Sequence, residues 1–243
     1  MEDASLMVGF MVMLLIIYGM VFGMVILKNY IDFNNSNYQR ASNHTFWETF
    51  FNKGNMGEYN IYRKLEKIKG TKLLLTNLYI PKEDGSTTEI DLLMITKLGF
   101  FVIESKNYSG WIFGNEKNRN WTQTFSNKKK FKFFNPIWQN KGHIKALQEI
   151  LGIADDLLIH SLIVFSNNCE LKKITVTSSN VHVIKQNQIK RTLRRELTNV
   201  MPKLTSEDIK IYFQVLKPFM HADEKIKQLH IKTIQEKLSQ SNN

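Results

Sequence analysis

The sequence contains one cysteine, Cys169, and only 4 prolines and 12 glycines in 243 residues. A single thiol excludes a disulfide framework and any cysteine-rich zinc site, and fits a reducing compartment. So few glycines and prolines exclude collagen-like and low-complexity chains. The phosphate-cradling Gly-x-x-x-x-Gly-Lys-Ser/Thr loop, the dinucleotide pattern Gly-x-Gly-x-x-Gly and the nucleophile elbow Gly-x-Ser-x-Gly are all missing. His44, His143, His160, His182, His221 and His230 have no metal-ligand spacing, and Cys169 lies in no protease signature, so it reads as a buried or inert thiol. Acidic residues are also scarce: 22 Asp+Glu face 33 Lys+Arg, a formal net charge of +11.

Hydrophobic residues make up 43% and aromatics 12%, enough apolar surface to offset the entropy of ordering the chain. Ala4 to Leu27 carries no charge. As a helix it spans about 36 Å at ~1.5 Å per residue, against a hydrocarbon core of about 30 Å. A transmembrane anchor over 4–27 follows. A cleaved signal peptide fits poorly, because Met1-Glu2-Asp3 is acidic where a basic flank is needed. Lys28, Arg40 and Lys53 follow the span, so the positive-inside rule puts the N-terminus outside and the bulk of the chain in the cytoplasm of a single-pass membrane protein. Gly19-x-x-x-Gly23 offers a weak helix-pairing face. The excess positive charge belongs entirely to the part after the anchor, since only Glu2 and Asp3 precede it. Nucleic acid and anionic lipid headgroups are the two polyanions such a domain would meet.

Residues 28–53 read as a juxtamembrane linker leading into a short helix, with Phe46, Trp47, Phe50 and Phe51 packing on the domain or at the membrane interface. Periodicity then predicts a helix over 55–68, strands over 72–80, 87–96 and 100–106, and short strands over 111–113, 121–125 and 128–133. Asn135-Pro136 should cap a helix running to about 150. The apolar run 157–165 reads as a buried strand, with further strands over 174–177 and 181–184 and helices over 186–198, 206–217 and 223–239. The fold class is mixed α/β, a core sheet flanked by helices.

Leu98-Gly99 joins two apolar strands in a hairpin, which brings Asp91, at the start of one, beside Glu104, at the end of the other. Two carboxylates about 4 Å apart repel by about 4 kcal/mol at an effective dielectric near ~20. A shared proton, a lysine or a divalent cation must offset that. Lys106 points the same way as Glu104, while Ser105 points away and leaves its backbone carbonyl as a donor. Asp91, Glu104 and that carbonyl are hard oxygen ligands suited to Mg²⁺ or Mn²⁺, a set that supports metal-assisted attack on a phosphodiester, with Lys106 positioned to orient or deprotonate a water. The competing reading is an ordinary Glu–Lys pair on a solvated strand.

Gly54-Asn55-Met56-Gly57-Glu58, Glu89-Ile90-Asp91, Phe101 through Gly110 and Asn135-Pro136-Ile137-Trp138-Gln139-Asn140 together resemble the nuclease-related domain (NERD), of the PD-(D/E)XK restriction-endonuclease-like superfamily. The similarity covers about 53–165. It implies a restriction-endonuclease-like core over 54–166 and a Mg²⁺-dependent nuclease site, while residues 167–243 read from their own pattern as a strand and helix extension. By that resemblance Asp91 and Glu104 match the metal-binding acids and Lys106 the catalytic lysine. Glu58 matches an acid that binds a second metal or orients water, and Gln139 a helix glutamine facing the site. On their own residues, Glu58 could simply favour a helix N-terminus and Gln139 could be a surface residue. Trp111 and Trp121 could stack bases or pack in the core. Lys128-Lys129-Lys130 with Phe131, Lys132, Phe133 and Phe134 could contact phosphates or form a solvated hairpin. Lys190-Arg191 and Arg194-Arg195 could extend a surface facing DNA or lipid. The expectation is a membrane-anchored nuclease acting on DNA, possible as a homodimer. The alternatives are a non-catalytic module binding nucleic acid or a partner at the membrane, and a lipid-surface protein.

Overall fold

The computed structural model describes residues 2–198, 200–223, 225–230 and 232–233. Helix α1 (Glu2–Asn34) is long and apolar enough to cross a membrane, and none of its apolar stretch is buried, unlike a soluble core helix. Its last turns join the domain. Phe33 is buried against Tyr38, Phe46 and Tyr59 in a cluster of edge-on and tilted rings.

The segment 28–53 is therefore more ordered than a linker. After α1 come α2 (Tyr38–Ser42) and α3 (Phe46–Phe51). Asn43 closes α2 in the left-handed region, and Thr45 and Glu48 cap α3 reciprocally. The aromatic cluster divides: Phe46 packs into the core, while Trp47 and Phe51 stay exposed. Helix α4 (Lys53–Glu66) follows at once, its first amides satisfied by Asn52.

Strands β1 (Lys72–Pro81), β2 (Thr87–Thr96) and β3 (Gly99–Lys106) form an antiparallel meander. Gly99 sits at φ +126, and a Cβ there would lie 2.1 Å from the Leu158 carbonyl oxygen, so only glycine fits this turn. Strands β4 (Gly110–Asn115), β5 (Asn120–Thr124) and β6 (Lys130–Phe134) start a second sheet. Helix α5 (Pro136–Leu151) begins with Asn135 as N-cap and Pro136 in its first turn, and ends at left-handed Gly152.

Strand β7 (Ile159–Phe165) returns parallel to β3, β8 (Cys169–Thr175) joins the second sheet, and β9 (Val181–Lys185) pairs parallel with β7. The strand expected over 174–177 thus starts earlier, at Cys169, because a bulge at Ile112/Phe113 lets both halves of that stretch pair with β4. Helices α6 (Ile189–Leu197), entered by a 3-10 turn at Gln186–Gln188, and α7 (Ser206–Leu216) complete the fold. Residues 225–230 are helical, and the remainder of the helix expected to 239 lies largely outside the described residues.

The architecture is mixed α/β: a five-stranded sheet in the order β1-β2-β3-β7-β9 and a four-stranded sheet in the order β6-β5-β4-β8, flanked by helices. Helices α4 and α5 cover opposite faces of the larger sheet. A Cβ on Gly57 of α4 would lie 3.2 Å from Ser105 Oγ, whereas Gln139 and His143 of α5 reach Lys106 and Glu104. Ser105 and its two neighbours point to opposite faces of the strand.

Candidate active site

The ladder between β2 and β3 last pairs Leu92 with Ile103. One step further, Asp91 follows Leu92 and Glu104 follows Ile103, where the pairing of β2 with β3 ends while β2 stays paired with β1 and β3 with β7. Asp91 Oδ2 accepts a hydrogen bond from the Ser105 amide at 2.8 Å. Glu104 is only 2% exposed, and both of its oxygens are engaged. Oε1 lies 2.6 Å from Lys106 Nζ and Oε2 lies 3.1 Å from His143 Nε2. Lys106 Nζ also donates to Gln139 Oε1 at 3.0 Å. The chain Gln139–Lys106–Glu104–His143 continues from His143 Nδ1 to Thr88 Oγ1 at 2.6 Å, so β2, β3 and α5 are tied through one buried polar network.

Glu58 enters from α4. It is half-buried, and its Oε2 is enclosed without a hydrogen-bond partner among the described residues. Burial, then Glu89 and Glu104, push its carboxyl up to about 8, against a hydrogen bond from Tyr38. Asp91 is raised well above the usual carboxylate range, first by burial and then by Glu104 and Glu58, with Lys106 and the Ser105 amide opposing. Glu104 moves the other way. Burial would raise it, but Lys106 and His143 outweigh that and hold it ionised. Lys106 loses from burial and gains more from Glu104 and Asp91, so it stays protonated.

The structure therefore brings Asp91, Glu104, Lys106 and Gln139 together and sets Glu58 within their electrostatic reach. His143 is the member that sequence reading missed. Its signal was its place four residues after Gln139, the helical spacing that puts both on one face of α5. Glu89 is a second omission: it adds to the charge that raises Glu58.

The other expected contacts sort differently. Trp121 is buried, stacked on Phe165, with its indole nitrogen donating to the Asn115 carbonyl. Trp111 is 43% exposed, so of its two readings core packing does not hold: it lies on the outer face of the smaller sheet, under Lys172. Of the phenylalanines beside the lysine run, Phe133 packs inward on Tyr108 and Trp121, whereas Phe131 and Phe134 stay exposed. Lys190 and Arg194 line a cleft of about 240 Å³ with Lys67 and Lys69. Cys169 is buried, and burial raises its thiol, which leaves it unreactive.

Residues 53–166 match the family model of the nuclease-related domain. An uncharacterized protein of Bacillus anthracis is 35% identical over 189 residues, covering 77% of this chain and 86% of that protein. The chain belongs to the nuclease-related domain family. The match begins at the first residue of α4 and ends just beyond β7, so all five site residues and His143 fall inside the family's domain. No solved structure matches the chain.

The donor chemistry fits a hard divalent cation. Two half-buried carboxyls, Glu58 and Asp91, carry raised proton affinity, first from burial and then from the carboxylates beside them, and a buried carboxylate oxygen of Glu58 is orphaned. Among the described residues no group of three or more His, Cys, Asp or Glu is disposed to hold a metal ion. A cation here would rest on fewer protein ligands, the common condition for Mg²⁺, which keeps several of its waters.

Proposed function

We propose that this nuclease-related protein hydrolyses phosphodiester bonds of DNA at the Asp91–Glu104–Lys106 cluster, anchored by α1 with the domain on the cytoplasmic side. The observation that carries the reading is Lys106 Nζ held between Glu104 Oε1 and Gln139 Oε1 beside carboxyls of raised proton affinity. Asp91, Glu104 and the Ser105 backbone carbonyl would hold Mg²⁺ or Mn²⁺, its remaining positions left to water, with the charge of Glu58 adding to its attraction. The bound cation supplies charge for the attacked phosphate and a more acidic water. Lys106, kept protonated, acts as a fixed cation that donates to a phosphate oxygen rather than as a base. Gln139 aims that ammonium group, and His143 fixes Glu104. Glu58, with proton affinity near neutral pH, is poised to accept and release a proton.

The second reading, a non-catalytic module binding nucleic acid or a partner at the membrane, draws on the engagement of both Glu104 oxygens by protein groups. The deciding experiment offers plasmid, linear duplex, single-stranded DNA and RNA to the full chain in detergent with Mg²⁺ or Mn²⁺, beside Lys106→Ala and Asp91→Ala. Metal-dependent cleavage reduced about 10²- to 10⁴-fold in both variants is expected. Unchanged cleavage in either would remove the proposed site. A folded protein that binds Mg²⁺ but cuts nothing would select the second reading.

A further inference from the structure

The outer face of the smaller sheet has its own chemistry. Alternation sends Ile112, Trp121 and Cys169 inward to a core cluster with Phe165. The residues between them form two rungs across all four strands. One runs Lys130, Thr124, Trp111, Glu170, and the other Lys132, Thr122, Phe113, Lys173. Each rung has a lysine at the β6 edge and an aromatic ring on β4. Trp111 and Phe113 are 43% and 36% exposed. They stand two residues apart on one strand, about 6.6 Å at ~3.3 Å per residue. Lys172, set outward by the bulge, lies 5.5 Å from the Trp111 ring and neutralises Glu170, the acid within these two rungs, at 2.7 Å. Lys130, Lys132 and Lys173 form no salt bridge among the described residues.

We propose that this face is a binding platform for single-stranded nucleic acid, with Trp111 and Phe113 each stacking one base and the flanking lysines following the phosphates. Rings spaced along a strand and bordered by cations match an unpaired strand, whose bases are free to stack. A duplex hides those base faces. A lipid surface would call for apolar side chains that protrude, as Phe51 does at 76% exposure, whereas these two rings lie partly against their own sheet. The platform also adjoins the carboxylate cluster along the chain at both ends. Gly110 opens β4 four residues after Lys106, and Phe134 closes β6 five residues before Gln139. The platform's own binding does not depend on the proposed hydrolysis.

The test measures oligothymidine and duplex binding to the full chain in neutral lipid discs, by fluorescence anisotropy in EDTA, where loss of catalysis has no effect on the reading. Oligothymidine should bind more tightly than duplex. Trp111→Ala should weaken it about 5- to 150-fold, with Phe113→Ala weaker in the same sense and Trp111→Phe largely retaining affinity. Lys130→Gln with Lys132→Gln should flatten the salt dependence by up to ~1.4 in slope. Wild-type affinity in the Trp111→Ala/Phe113→Ala double variant, its fold verified by circular dichroism, would overturn the platform. So would a double variant that loses adsorption to phosphatidylserine vesicles while keeping its oligothymidine affinity, which would make the face a lipid surface.

Discussion

Glu58→Gln should stabilise the metal-free protein and at the same time impair cation binding. Glu58 sits half-buried with an orphaned oxygen, facing the charge of Glu89 and Glu104. Its carboxyl moves from an ordinary 4.5 in the unfolded chain to about 8 in the fold. The folded state therefore binds the proton more tightly, and stability falls as pH rises from about 4.5 to about 8. At pH 7 the group is ionised when unfolded and mostly protonated when folded. At ~1.36 kcal/mol per pH unit the penalty is about 3 kcal/mol at pH 7 and about 1 kcal/mol at pH 5, as a ceiling. Glutamine keeps the shape and never ionises, so the variant escapes that penalty. In EDTA its Tm should rise at pH 7 by up to about 6–12 °C, at ~2–4 °C per kcal/mol for a chain of this size. The gain should shrink to about a third at pH 5. Saturating Mg²⁺ should then raise the wild-type Tm more than the variant's, through mass action. Thermal denaturation of the two proteins in the same detergent reads all of this. A variant no more stable than wild type at pH 7, or one whose gain is the same at pH 5, would refute the electrostatic account of Glu58.

Further expectations follow from single contacts. His143→Ala deprives a 2%-exposed carboxylate of one of its two partners and should cost about 1.5–3 kcal/mol by chemical denaturation, with activity falling in parallel. Asn135→Ala removes both the N-cap of α5 and a side-chain amide that donates to the carbonyls of Asn115, Glu116 and Asn118, so a loss of about 2–4 kcal/mol is expected. Gly114→Ala would drive a Cβ to within 2.1 Å of the Trp121 ring and should destabilise by about 1–3 kcal/mol, with altered Trp fluorescence. Glu116 accepts hydrogen bonds from the amides and hydroxyls of Thr177 and Ser178, which pull its carboxyl down to about 2. The stability it contributes is complete above about pH 4.5 and lost as pH falls toward 2. Glu116→Gln should therefore cost about 1 kcal/mol at neutral pH and nothing near pH 2.

Much of the fold was legible because its signals were local. Asn135-Pro136 marked the start of α5, and the hairpin between the two apolar strands was legible too, although its turn falls one residue earlier than expected, at Lys97-Leu98, with Gly99 paired to Thr96. What was illegible depended on partners distant in sequence. The strand expected over 174–177 begins at Cys169 because β4 offers it a parallel edge, a pairing no local pattern encodes. Trp111 and Trp121 carry the same side chain in strands of similar composition. Their opposite burial follows only from which face of the smaller sheet meets Phe165.

The 28–53 segment shows the same dependence on distant partners and bears on how the apolar helix α1 is joined to the domain. Polar asparagines between aromatics read as a linker. In the fold, Asn37 is a hydrogen-bonding residue tied to Glu66 of α4, Asn52 is a helix cap, and Arg63 of α4 pairs with Asp32 in the last turn of α1 at 3.2 Å. Phe33, Tyr38 and Tyr59 lock the same three helices through their rings. An apolar helix fused by packing to the helix that carries Glu58 leaves the carboxylate cluster little freedom to swing on a tether.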